Sequence, residues 1–228
     1  LVVMHGFSIG IGEAAVTHER SLYALAPDGS QTVVYHTEDR VFEMANGVID
    51  ENVWDTFDRR WTIGPDSRVY AVLSNGEYQI KIWNGDGSLD RVVARDYEHL
   101  DRTQEELDRS YAIYEAFTRQ APGAKVKVND YHRGVESIFV RDDGSLWVMT
   151  SQGVHRAEEG ELATFDVYDA EGHFVRQVVL RGDGDPREDG LYFVKDRLYV
   201  VTDFLSAAMA MAGGGGGGAA TEDEDAEP

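Results

Sequence analysis

SIFVRDDGSLWVMTS (residues 137–151) and ATFDVYDAEGHFVRQVVL (residues 163–180) decide the fold of this chain. They hold four short apolar runs: Ser137–Val140, Leu146–Ser151, Ala163–Tyr168 and Phe174–Leu180. Each run has the length and the Val/Phe/Tyr/Trp bias of a strand. Arg141-Asp142-Asp143-Gly144 joins the first pair and Asp169-Ala170-Glu171-Gly172 the second, and each glycine can supply the positive φ that a tight hairpin needs. Four antiparallel strands joined in order make a meander, and the same grammar recurs along the chain.

Working outward, Trp61–Gly64, Val69–Leu73, Tyr78–Trp83 and Asp90–Arg95 read as a second meander, with turns at Pro65-Asp66-Ser67, Asn75-Gly76 and Asn84-Gly85-Asp86-Gly87. Ser21–Ala26 and Gln31–Thr37 flank Pro27-Asp28-Gly29-Ser30, and strand-like pieces precede them at Val2–Met4 and Ala14–His18. Residues 38–58 are expected to be loop, with a short strand near Val41–Met44. Leu191–Val194 and Leu198–Asp203 form a last hairpin around Lys195-Asp196, and Lys125–Asn129 adds a strand. Residues 101–121 break the pattern. Thr103-Gln104-Glu105-Glu106 is a capping box, and Leu107, Tyr111, Tyr114, Ile113 and Phe117 form an apolar stripe that Pro122-Gly123 stops. This predicts one inserted amphipathic helix. Residues 209–228, with Gly213–Gly218 and an acidic end, are expected to be a disordered tail.

The chain has 228 residues with 21 Lys+Arg against 42 Asp+Glu, a net charge of −21. Five of the acids (Glu222, Asp223, Glu224, Asp225, Glu227) lie in the tail. Such a surface repels nucleic acid and anionic membranes, and favours cationic ligands, metal ions, basic partners or simple solubility. There is no cysteine, which excludes disulfides, thiolate metal sites and thiol catalysis. No apolar run spans a bilayer, and no signal peptide is visible.

Aligning the hairpins exposes a repeat. Arg68-Val69-Tyr70-Ala71-Val72 matches Ser145-Leu146-Trp147-Val148-Met149 and Arg197-Leu198-Tyr199-Val200-Val201. Gln79–Gly87 matches Thr164–Gly172, and Leu22–Gly29 is a shorter match. Gly29, Gly87 and Gly172 are thus equivalent, 58 and 85 positions apart, and the longer gap holds the helix. Four-stranded units recurring about every 40–50 residues are propeller blades. A β-sandwich would explain the alternation but not the repeated register. The fold class is therefore all-β, a β-propeller of four-stranded meander blades over residues 1–208, with a helical insertion at 101–121. The recurring aromatics Trp61, Tyr70, Trp83, Trp147, Tyr168 and Tyr199 are expected in the core between blades rather than on a sugar-stacking platform.

At DDGSLWVMTS, FDVYDAEGHFVRQVVL and KDRLYVVTD the chain resembles six-bladed β-propellers of the NHL-like class found in bacterial secreted and lipoprotein sequences. The resemblance covers about residues 21–203 and implies an extracytoplasmic protein. Only about four blades are legible, so truncation at both ends is expected, with the missing blades as partners. A meander of this class gathers its ligand loops on the face from which the innermost strands start. That puts 55–60, 129–136 and 183–189 around one mouth, with 75–77 and 152–160 beside them.

The richest of these loops is Asn129-Asp130-Tyr131-His132-Arg133-Gly134-Val135-Glu136, facing His155-Arg156. Arg59-Arg60 stands before Trp61 as Glu136 stands before the strand at Ser137. The candidate ligand-binding residues are therefore Arg59, Arg60, Asp130, His132, Arg133, Glu136, His155 and Arg156. His132, Glu136 and His155 are candidates for acid–base chemistry or a divalent metal. Lyases and lactonases on related propellers use such residues, although no motif of theirs is matched. Asp142-Asp143-Gly144 and Asp183-Gly184-Asp185 lack a full calcium-ligand set. No P-loop, G-x-G-x-x-G, G-x-S-x-G or H-E-x-x-H occurs.

The leading expectation is a non-catalytic binding or scaffold propeller for a small molecule, glycan or peptide. No cofactor is required, and no nucleic acid or membrane span is expected. The alternative is a metal-assisted, lactonase-like hydrolase or lyase on the same face. A third reading is a structural fragment without a site. The helix is expected either to cover the mouth with Tyr111, Tyr114 and Phe117 or to pack against a blade flank.

Overall fold

The structure is a computed structural model and describes residues 2–11, 15–43, 47–54, 59–118, 123–204 and 207. In chain order, β1 (Val2–Ile11), β2 (Ala15–Leu25) and β3 (Gln31–Glu43) form an antiparallel sheet. A short strand β4 (Val48–Asp50) and one turn of helix α1 (Glu51–Trp54) follow. The second sheet is the meander β5 (Trp61–Ile63), β6 (Val69–Ala71), β7 (Gln79–Trp83) and β8 (Leu89–Ala94). Helix α2 (Gln104–Thr118) and β9 (Lys125–Lys127) lead into the third sheet. That sheet is built of β10 (Ser137–Val140), β11 (Leu146–Met149), β12 (Glu161–Tyr168) and β13 (Phe174–Arg181), with a further turn of helix, α3 (Ser151–His155), between its middle strands. The hairpin β14 (Gly190–Val194) and β15 (Arg197–Val201) comes last. The fold is all-β, and its meanders stack face to face as propeller blades do.

The two central sheets are apolar on both faces, so each is sandwiched between neighbours. Along 69–72 the side chains alternate. Val69 and Ala71 join Leu22, Ala24 and Trp83 in the core against the first sheet, while Tyr70 and Val72 join Val135, Ile138 and Val148 in the core against the third. The third sheet repeats this. Leu146 and Val148 face the second sheet, and Trp147 and Met149 face Leu191, Phe193 and Val200 of the final hairpin. A buried polar set bridges the second and third sheets. The Tyr168 hydroxyl donates to the Tyr78 hydroxyl (2.9 Å), Tyr78 donates to Asp166 Oδ2 (3.0 Å), and Arg95 pairs with Asp166 at 2.8 Å. Burial, with Tyr168 and Asp166, pushes the Tyr78 phenol well above its ordinary pKa against the pull of Arg95, so it stays a neutral donor.

The hairpin turns share one chemistry. In Asp28-Gly29-Ser30, Asp86-Gly87-Ser88 and Asp143-Gly144-Ser145 the aspartate accepts from the serine backbone N–H (3.0, 2.9 and 2.9 Å) and from its hydroxyl (2.7, 2.6 and 2.7 Å). The glycines have φ of 83°, 90° and 81°. At the equivalent Gly87 and Gly172 there is a second demand for glycine. An added Cβ would come within 2.7 Å of Val33 on β3 and of Val93 on β8, respectively. The last turns of the second and third sheets therefore lie against the outer strand of the sheet before each.

Four expectations are corrected. The first sheet has three long strands, and β3 runs on to Glu43 through part of the segment read as loop. The rest of that segment supplies β4, which pairs in parallel with β9. The 101–121 insertion is not the sole helix, because α1 and α3 are helical as well. Within α2, Tyr111 and Ile113 are exposed while Glu106, Leu107, Ser110 and Tyr114 are partly buried, so the helix docks on a more polar face than its stripe implied. Tyr199 is 49% exposed and stands outside the core. The Phe117 side chain and residues 209–228 lie outside the described residues.

The turn geometry gives a paired prediction. Gly29→Ala meets nothing within 4 Å, so it carries only the positive-φ penalty of about 1–2 kcal/mol. Gly172→Ala adds the collision with Val93 and should destabilise by about 1–3 kcal/mol more. Urea unfolding of the two variants measures the difference, and equal losses would refute the inter-blade contact.

Candidate functional site

The mouth is assembled by backbone pairing. Residues 100–102 run beside 130–132: the His132 N–H donates to the Leu100 carbonyl (2.8 Å), the Arg102 N–H donates to the Asp130 carbonyl (2.8 Å), and Asp101 bridges Tyr131. Arg102 then forks onto Glu51 of α1 at 2.9 and 2.7 Å, and both side chains are more than nine-tenths buried. Glu51 also accepts from the Asn129 N–H (2.9 Å), and Asn129 and Asn52 exchange side-chain amide bonds at 3.0 Å. The first turn of α2 is thereby held against the loop carrying His132. The capping box forms as the sequence predicts. The Glu106 N–H donates to Thr103 Oγ1 (3.3 Å), and the Thr103 N–H donates to Glu106 Oε2 (2.7 Å).

Glu106 does more than cap. It receives two bonds from Arg156 (3.0 and 3.2 Å), and its carboxylate lies 3.2 Å from His132 Nε2, out of hydrogen-bond alignment, and 3.8 Å from His155 Nδ1. The rings of His132 and His155 stack with centroids 3.7 Å apart and planes at 21°. On the other side His155 Nε2 is 3.6 Å from Glu136, and Arg133 reaches Glu136 at 4.0 Å. The result is a histidine pair bracketed by two carboxylates, which are bracketed in turn by arginines. Burial opposes ionisation of Glu106, but Arg156, the Thr103 N–H and His132 outweigh it and hold its pKa far below the usual carboxylate range. Burial likewise opposes ionisation of Glu136, and His155, Arg133 and Arg60 bring it down to about 2. Burial, with His155 alongside, lowers the pKa of His132 against the pull of Glu106.

His155 sits in the last turn of α3, a segment expected to be loop. Thr150 caps that turn by accepting from the Gly153 N–H, and Gly153 is required because a Cβ there would come within 2.5 Å of the Thr164 carbonyl. Six of the eight ligand candidates gather here. His132, Arg133, Glu136, His155 and Arg156 are in the cluster, and the buried Arg60 lies beneath it, acting on Glu136 and donating to the Ser74 carbonyl (3.2 Å). Arg59 and Asp130 do not join. Arg59 turns away to the Asp189 carbonyl (3.3 Å) and the Phe204 ring, and the Asp130 side chain is exposed. Sequence reading missed Glu106. Its capping-box position was visible, but its second role depends on where the helix lands. Among the described residues Glu106, His132 and His155 are the group whose geometry could hold a metal ion, with ligand atoms within 4.8 Å of one another.

The same loop also walls a cavity of about 510 Å³ between the first and second sheets, lined by His36, Glu38, Asn75, Glu77, Lys81 and Tyr131 among others. Here the two-faced pattern changes. Lys81 pairs with Ala71 across β6 and β7, and Trp83 pairs with Val69, so Lys81 and Gln79 occupy the side of β7 that faces the first sheet. On that sheet Leu22 and Ala24 give way to Arg20, which bonds Glu38 at 2.6 Å, and Arg40 pairs with the same carboxylate at 2.9 Å. The core thus ends in a polar chamber at the mouth. The Gln79–Lys81 alternation within an otherwise apolar strand is a signal that sequence reading could have used.

No family model matches the chain, and no curated protein matches it significantly. No helix among the described residues is long and apolar enough to cross a membrane.

Two predictions follow from the mouth contacts. Arg102→Ala leaves the buried Glu51 carboxylate unpaired and should cost about 3–5 kcal/mol, with faster hydrogen exchange in the first turn of α2. Exchange unchanged in that turn would refute the anchoring role. For pH, His132 favours the fold above its ordinary 6.5 and Glu136 above its ordinary 4.5, and both contributions are lost on acidification because both folded pKa values are lowered. Stability to urea should therefore fall below 6.5 and again between 4.5 and about 2. The lower limb should flatten in Glu136→Gln and the upper in His132→Gln.

Proposed function

We propose that this chain is a non-catalytic binding or scaffold module that takes a small molecule, glycan or peptide at the mouth rim of a propeller. The resemblance of its repeats extends the reading to the six-bladed NHL-like class and to an extracytoplasmic location. The observation that carries the proposal is the cavity of about 510 Å³ between the first two sheets. Its size falls in the range of small-ligand sites, and convergent polar groups line it where a core would otherwise continue. The stacked histidine cluster forms the neighbouring rim, and its charges are matched within the protein, as suits a surface that orients a polar ligand.

One observation favours a second reading, metal-assisted hydrolysis or lyase chemistry: the convergence of Glu106, His132 and His155. If these residues held a divalent ion, it would polarise a bound carbonyl or activate water. Two features weigh against it. Nearly parallel rings 3.7 Å apart cannot both direct in-plane lone pairs at one ion without rotating. Arg156 also occupies both oxygens of Glu106.

A thermal-shift screen of sugars, small polar molecules and short peptides tests the leading reading. Compounds that stabilise the wild type should fail with Gln79→Trp, which places a bulky ring in the cavity wall and narrows it. Stabilisers indifferent to that change would refute the cavity as the site. Titration with Co²⁺ in the same series separates the second reading, since stoichiometric binding lost in His132→Ala would favour it.

A further inference from the structure

We infer that the cavity between the first and second sheets selects ligands carrying an anionic group, with Lys81 as the recognising charge. This rests on the binding reading above and names the chemistry of that site.

Lys81 is half-buried on β7, opposite Ala71, at a register position that faces the first sheet. A strand buried on both faces has an apolar residue at such a position, as Ile80 and Ile82 show on the other side. The Lys81 stem is partly covered while its ammonium stays in contact with solvent, so an anionic group entering the cavity can meet it. Among the described residues Lys81 makes no ion pair and no hydrogen bond, although most basic side chains of this acidic chain are paired. Glu38, the acidic residue of the facing sheet that lines the cavity, is already engaged by Arg20 and Arg40. Burial lowers the pKa of His36 on the same wall, and Arg20 and Lys81 lower it further against the pull of Glu38, so the ring favours its neutral form and adds no positive charge of its own. The lining thus holds Arg40 and Lys81 against Glu38 and Glu77, a local balance within a chain of net charge −21, and of the two cations Arg40 is already paired with Glu38.

The rest of the lining fixes what accompanies the anion. The Asn75 side chain is buried, and its Oδ1 has no donor among the described residues, while its Nδ2 donates to Asn52 Oδ1 (3.2 Å). The exposed Glu77 is a second acceptor, and Gln79 and Tyr131 offer further polar atoms. Acceptors beside a lone ammonium suit a small polyhydroxy or amino acid anion, whose carboxylate meets Lys81 and whose O–H or N–H groups meet Asn75 and Glu77. A sugar acid is the simplest example.

Glucuronate and glucose form the test pair, since they differ at the carboxylate. Isothermal titration of the whole chain should show glucuronate binding at least tenfold more tightly than glucose, with the preference reduced by salt. Lys81→Met should abolish the preference, and Lys81→Arg should retain most of it, with melting temperatures confirming that both variants fold. Equal binding of the two probes, or a preference that survives Lys81→Met, would overturn the anion inference and leave the cavity as a binding site. Failure of both probes to bind, while the wider screen still finds ligands excluded by Gln79→Trp, would likewise overturn the inference alone. If that screen also finds none, the binding reading falls with it.

Discussion

Burial of the second sheet on both faces is the constraint on which the rest of the structure depends. Val69 and Ala71 need the first sheet to cover them, and Tyr70, Val72, Ile80 and Ile82 need the third. Each fully buried Val or Ile among them contributes about 1.5–3 kcal/mol, so neither neighbour is dispensable. The order of the sheets follows, as does the need for glycine at Gly87 and Gly172, where one blade's turn lies on the last strand of the blade before it. The Tyr168–Tyr78–Asp166–Arg95 set fixes the mutual register of the second and third sheets, because a buried carboxylate tolerates few positions for its donors.

Function is proposed where that constraint is relaxed. Toward the mouth the facing positions change from Leu22, Ala24 and Trp83 to Arg20, Glu38, Lys81 and Gln79, and space opens between the sheets. The loop 129–136 divides the region. Tyr131 borders the chamber on one side, and His132 stacks on His155 on the other. Gly134 allows this loop to press against the Glu77 backbone, where a Cβ would lie 3.3 Å from its carbonyl. Arg60 lies beneath both parts, bonded to Ser74 of the chamber wall and acting on Glu136 of the cluster. Chamber and cluster are thus neighbouring parts of one rim. Their charges differ in an instructive way: those of the cluster are matched internally, while Lys81 in the chamber is not.

Much of this was legible locally. The strands from 61 to 95 and from 137 to 181, the Asp-Gly-Ser turns, the equivalence of Gly29, Gly87 and Gly172, and the capping box at Thr103 all follow from residues close in sequence. Their physics is short-ranged: alternation on a pleat, a positive φ, a side chain bonding its own turn. The candidate loop residues were legible as types, and six of eight converge. Arg59 could not be separated from Arg60 by sequence, because the positive φ of 65° at Arg59 turns its side chain toward Asp189 and Phe204. The β4–β9 pair was not legible because the strands are short, parallel and far apart in sequence, and nothing local specifies such a partner.

By itself the sequence determined that the chain is all-β, built from repeated meanders with one capped helix between two of them, and that its polar groups concentrate in the loops before inner strands. Tertiary structure alone decided which of those groups meet. Glu106 was readable as a helix cap, yet it stands between His132, His155 and Arg156 only because Arg102 and Glu51 fix where that helix begins. Lys81 was readable as one polar residue in a strand, yet its lack of a partner is a property of the facing sheet. Local alternation assigns a side chain to a face. What lies across that face is set by chain segments tens of residues away, and there the chemistry of the mouth is decided.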